Sequence, residues 1–66
     1  MNTETKKAIE LMPGDYIRRI EDRPNIHLYR GVVKTTVVVD RGVQINYEGG
    51  MHVVTGEATP VEVDLK

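Results

Sequence analysis

The chain has no cysteine, no serine, no phenylalanine and no tryptophan. Without cysteine there is no disulfide framework, no thiol nucleophile and no thiolate zinc site. Without serine, the hydroxyl groups belong to threonine and tyrosine. The two histidines, His27 and His52, could each act as a base. Neither stands at a spacing that pairs it with a nucleophile or carboxylate, and a metal site would need both brought together from separate loops. No enzyme activity, cofactor or metal is therefore expected. With Phe and Trp missing, Val, Ile, Leu, Met and three Tyr must supply all the large apolar surface of a 66-residue chain. Such a core offsets conformational entropy by a thin margin.

Long apolar runs are missing too, so no segment reads as a membrane-spanning helix. The opening "MNTETKKAIELM" lacks the apolar stretch and small-residue cleavage site of a secretory leader, and a cytoplasmic setting is the expectation. The net charge of −1 gives no general pull toward nucleic acid or membrane. Charge is nevertheless segregated. Residues 16–39 carry Arg18, Arg19, Arg23, Arg30 and Lys34 against Glu21 and Asp22, while residues 40–66 are mainly acidic.

What is present reads as strand and turn. Residues 5–12, "TKKAIELM", fit either a short helix stopped by Pro13 or an extended arm, with a helix favoured. "PGD" makes a turn. In "DYIRRI" a bulge near Arg18 and Arg19 would turn both Ile17 and Ile20 inward. Residues 21–30 form a long polar loop, with Ile26 and Leu28 tucked partly beneath it and Pro24 ending any strand.

The clearest segment is 32–56. A three-residue loop Asp40-Arg41-Gly42 would set Val39 opposite Val43, Val37 opposite Ile45 and Thr35 opposite Tyr47, all facing inward. The outward face would then carry Lys34, Thr36, Val38, Gln44 and Asn46. A second three-residue loop, Glu48-Gly49-Gly50, pairs Tyr47 with Met51 and Ile45 with Val53, leaving His52 outside beside Asn46. After a tight turn at Thr59-Pro60, Val61, Val63 and Leu65 alternate inward in a last strand.

"PGDYI" opening a strand, a polar loop, a three-stranded meander and the "TPVEV" closure together resemble the SH3-like small barrel shared by SH3, Tudor and KOW modules. The resemblance implies a mainly β fold: a five-stranded antiparallel barrel over residues 13–66, preceded by an arm or short helix over 1–12. It also implies binding in place of catalysis. The Trp and paired aromatics with which SH3 domains grip polyproline are absent, as is the glycine-rich basic signature of KOW modules. Tyr16, Tyr29 and Tyr47 could be asked to form a Tudor-like cation cage. The register makes Tyr47 a core residue instead.

Two functions follow. The first is a module that binds a larger protein through Arg23, His27, Tyr29 and Arg30 of the long loop, with Glu48 and Met51 of the glycine turn. The second is a nucleic-acid binder that places Arg18, Arg19, Arg30 and Lys34 on phosphates. A structural subunit of a larger assembly is a third reading. A run such as "TTVVV" must be covered or sit mid-sheet, so a monomer or a homodimer formed through a β edge is expected.

Overall fold

A computed structural model describes residues 2–23 and 28–65. Its strands are β1 (Thr3–Lys7), β2 (Tyr16–Ile20), β3 (Gly31–Val39), β4 (Gly42–Tyr47), β5 (His52–Thr55) and β6 (Pro60–Asp64). All pairings are antiparallel, in the sheet order β1-β6-β2-β3-β4-β5. The expectation of a mainly β fold holds. The hydrogen-bonded ladder, however, is one open sheet of six strands, and no ladder joins β5 to β1 among the described residues.

The extra strand comes from the N-terminal segment, for which the sequence favours a short helix over an extended arm. Residues Thr3–Lys7 pair along their length with β6, from Thr3 opposite Asp64 to Lys7 opposite Pro60. An isolated helix of two turns is marginal in water, whereas a strand laid against β6 gains a full ladder. Helical character is confined to the 3-10 turn Ala8–Glu10. With three residues per turn, Ala8 and Leu11 fall on one side, and both are buried. The Met12–Asp15 turn then reverses the chain, with Pro13 followed by Gly14 at φ 95° and the Asp15 N–H bonded to the Met12 carbonyl at 3.1 Å.

In β2 the expected bulge is present. The register against β6 shifts between Ile17 and Arg19, and Ile17 and Ile20 are both fully buried. β3 is shared between two neighbours: Gly31 and Val32 pair with β2, and Val33 to Val39 pair with β4. A second bulge between Val33 and Thr35 bends the strand where it changes partner.

The first hairpin departs from expectation by one residue. The connection is Asp40-Arg41, with Val39 opposite Gly42, Val38 opposite Val43 and Thr36 opposite Ile45. Gly42 keeps a positive φ, 137°, but takes it as the first residue of β4, lying directly against β5, and not as the third residue of the loop. A Cβ there would sit 2.2 Å from the Thr55 carbonyl oxygen. The bulge adds a second residue of shift, so Tyr47 lies opposite Val33 and both are buried, whereas Thr35, expected inside opposite Tyr47, is exposed and pairs with Asn46. Val37 and Val38, the former expected inside, are 49% and 64% exposed at the hairpin's far end.

The second hairpin matches its expectation. Ile45 pairs with Val53, Asn46 with an exposed His52, and the Tyr47 N–H donates to the Met51 carbonyl at 2.8 Å. Gly50 takes φ 95° in the loop. In β6, Val61 and Val63 are fully buried, but Leu65 is 48% exposed because the strand ends at Asp64. Leu28, expected partly covered, is exposed, and Ile26 lies outside the described residues. Side chains of β2 to β6 join Ala8 and Leu11 in a single apolar cluster, with Tyr29 and Met51 packed against it.

Candidate partner-binding face

Tyr47 organises this part of the surface. Alternation along β4 points it into the core, where it is 4% exposed. Its hydroxyl donates to the Tyr29 carbonyl oxygen at 2.7 Å. Burial, with a smaller contribution from Tyr29, pushes its pKa up to about 12, so the phenol stays protonated and keeps donating. One residue on, the Glu48 N–H bonds to the Val32 carbonyl at 2.9 Å, and Met51 begins the return into β5. A single buried ring thus joins the end of the β2–β3 connection to the glycine turn.

The start of the same connection lies against β5 and the chain that follows it. The Glu21 N–H bonds to the Pro60 carbonyl at 3.1 Å. The Thr55 hydroxyl, on a buried residue, donates to Asp22 Oδ2 at 2.8 Å. The Arg23 guanidinium donates to the Val54 carbonyl, and its Nε lies 3.7 Å from Asp22 Oδ1. The position of Val54 explains the contact. Tyr47 to Met51 is a hydrogen-bonded pair, so the alternation of an antiparallel ladder turns the main-chain groups of His52 and Val54 away from β4. Arg23 therefore takes a carbonyl on the sheet's outer edge. Its guanidinium also lies 5.7 Å from the centroid of the Tyr29 ring, within cation–π range.

Of the residues read from the sequence as a partner face, the fold joins Arg23 to Tyr29 by stacking, and Tyr29 to Met51 through Tyr47. Glu48 is exposed beside Val32, and Arg30 is exposed just before β3. His27 lies outside the described residues.

The alternative basic set is not held together in this way. Arg18 forms a two-pronged pair with Asp64, at 2.7 Å from Nε and 3.3 Å from its second nitrogen, and lies 5.4 Å from the Tyr16 ring centroid. The hydrogen bond to Asp64 raises the Arg18 pKa further, and the Asp64 carboxylate stands against its charge within the chain. Arg19 stands opposite Glu62 in the β2–β6 register, while Lys34 is exposed at the β3 bulge. Tyr16 has Arg18 on its ring and Tyr47 is core, which breaks the three-tyrosine cage.

Sequence reasoning missed two polar clusters. Asp15 is 6% exposed, and its Oδ2 accepts from the Met12 N–H at 2.9 Å and from Lys6 Nζ at 3.0 Å. The Asp22–Thr55 bond is the other. An Asp closing a Pro-Gly turn hints at the first. The second joins positions distant in sequence and leaves no local signal. Among the described residues, no group of three His, Asp or Glu side chains is placed to hold a metal ion. No helix among them is long and apolar enough to cross a membrane. Comparisons with protein-family models, curated proteins and solved structures find no match to this chain.

Proposed function

We propose that the chain is a small non-enzymatic module that binds a larger protein through the face made by Arg23, Tyr29 and Arg30 with Glu48 and Met51. The observation that carries this reading is the Tyr47 hydroxyl bond to Tyr29, which fastens the end of the β2–β3 connection to the strand that leads into the glycine turn. A partner would then meet a preformed surface and lose little ordering entropy on binding. Arg and Tyr are also the side chains that carry most of the energy at protein interfaces.

The same proposal reads β2 to β6 as the SH3-like barrel, with β1 added outside it. In support, the first and last of these five strands, β2 and β6, lie side by side, and all five feed one core. Asp22 and Arg23 bring the end of β2 to β5 through side chains where a ladder is lacking.

The test is capture from the native cell with the wild-type chain as bait, beside a Glu48→Lys/Met51→Glu double variant confirmed folded by circular dichroism. A specific protein retained by the former and lost by the latter supports the reading. Equal capture by both removes this face from it. The nucleic-acid reading is separated by binding to a short oligonucleotide at low and moderate salt. Affinity that falls steeply with salt would favour it over the partner face.

A further inference from the structure

We infer that β1 is a self-pairing edge through which two copies of the chain join antiparallel, about a two-fold axis at Thr5. The inference stands apart from the partner face, which involves the strand at the other end of the sheet order.

The ladder shows which groups are free to pair. The Ala8 N–H donates to the Thr59 carbonyl at 3.0 Å, and the Leu65 N–H to the Asn2 carbonyl at 3.1 Å. Both fall in the register of the β1–β6 pairing. Hydrogen-bonded positions on β1 are therefore the even residues. Thr3, Thr5 and Lys7 turn their N–H and C=O groups outward, to the open side of the sheet. Of these groups, the Lys7 N–H is already held by Glu10 Oε1 at 2.8 Å.

The side chains say which strand fits there. Read as Thr3-Glu4-Thr5-Lys6-Lys7, the edge carries opposite charges on either side of Thr5. A second copy running antiparallel about that residue sets Glu4 opposite the partner's Lys6 and Lys6 opposite the partner's Glu4. These become the closely spaced, non-hydrogen-bonded positions, where opposite charges stabilise and like charges destabilise. Shifting the axis to Glu4 would set two glutamates face to face, so the charge pattern selects one register. Lys6 already lies 3.0 Å from Asp15 and 3.9 Å from its own chain's Glu4, but an ammonium group has three donors and can take the partner's Glu4 as well.

Thr5 exchanges two main-chain bonds with its copy, and each Thr3 N–H reaches the partner's Lys7 carbonyl. The reciprocal bonds, from each Lys7 N–H to the partner's Thr3, are blocked by Glu10. Glu10 therefore weakens the contact without abolishing it. The result is a closed two-fold dimer with a sheet continuous across both copies.

Sedimentation equilibrium over a concentration series into the millimolar range, with circular dichroism as the check on folding, tests this. The wild type is expected to show a reversible monomer–dimer equilibrium. Thr5→Pro removes an N–H that the chain's own ladder does not use, and should weaken association about tenfold or more while the monomer stays folded. Glu4→Lys, which sets like charges opposite each other, should weaken it too. Glu10→Ala should tighten it by freeing the Lys7 N–H. A wild type that stays monomeric throughout overturns the inference. So does a dimer that Glu4→Lys and Glu10→Ala leave unchanged, a result that decides the matter even if Thr5→Pro fails to fold.

Discussion

The two ends of the sheet treat their spare backbone groups differently. At β5, two residues turn main-chain groups outward, and one of the resulting acceptors, the Val54 carbonyl, is taken by Arg23. Asp22 and Glu21 fasten the same connection beside it, to Thr55 and Pro60. At β1, three residues face outward, and Glu10 holds a single donor, the Lys7 N–H. β1 instead carries charged Glu4 and Lys6 on the face it shares with the buried Val61 and Val63. Inward-pointing charge on an edge strand discourages indiscriminate pairing while leaving room for a partner of matching pattern. One edge is capped at Val54 by the chain itself; the other is filtered by charge.

The largest expected effect lies beneath the capped edge. Gly42→Ala places a Cβ 2.2 Å from the Thr55 carbonyl at a φ of +137°, so β5 could not lie where Arg23 reaches it. A loss above about 4 kcal/mol, or no folding, is expected in denaturant titration. Gly50→Ala is the control, with φ +95° but open space around it, and should cost about 1–2 kcal/mol.

Next in size is Asp22→Ala, which leaves the buried Thr55 hydroxyl without its acceptor. The expected cost is about 1–3 kcal/mol, and adding Thr55→Val should recover part of it. A double variant no better than the single would show that this bond does not hold the connection on β5.

Tyr47→Phe removes the bond to the other end of that connection, at about 1 kcal/mol. Its pH dependence has a definite sign. The folded pKa of about 12 lies above the ordinary 10, so the unfolded chain gives up its proton first. The stabilisation is complete below the ordinary value and is lost as pH rises through the folded one. The phenolate absorbance of Tyr47 should therefore appear late in an alkaline titration, and Tyr47→Phe should flatten the decline in stability over that window.

Smallest is Glu10→Ala at the filtered edge. It removes an exposed contact and should change monomer stability by less than about 1 kcal/mol by thermal denaturation. A large loss would mean that Glu10 holds the fold and not the edge.

Legibility in the sequence followed the range of the deciding contact. The glycine-pair hairpin and the β2 bulge were readable because their apolar residues and turn residues lie within a few positions of one another. The first hairpin was misread by one residue because the place of Gly42 is set by Thr55 and Gly56, at the far end of the next strand. β1 was missed because its composition is a weak strand signal, and its ladder with β6 spans nearly the whole sequence. In the candidate face, the residue types were visible. Their arrangement around Tyr47, and the use of Asp22 and Arg23 on the β5 edge, came from contacts between distant positions.

Residue-resolved amide exchange on a dilute sample tests the open β1 edge most directly. Slow exchange at Glu4 and Lys6, bonded to β6, with fast exchange at Thr3 and Thr5, is the result this account predicts. Uniform rates from Thr3 to Lys7, or protection at Thr5 in the dilute monomer, would contradict it.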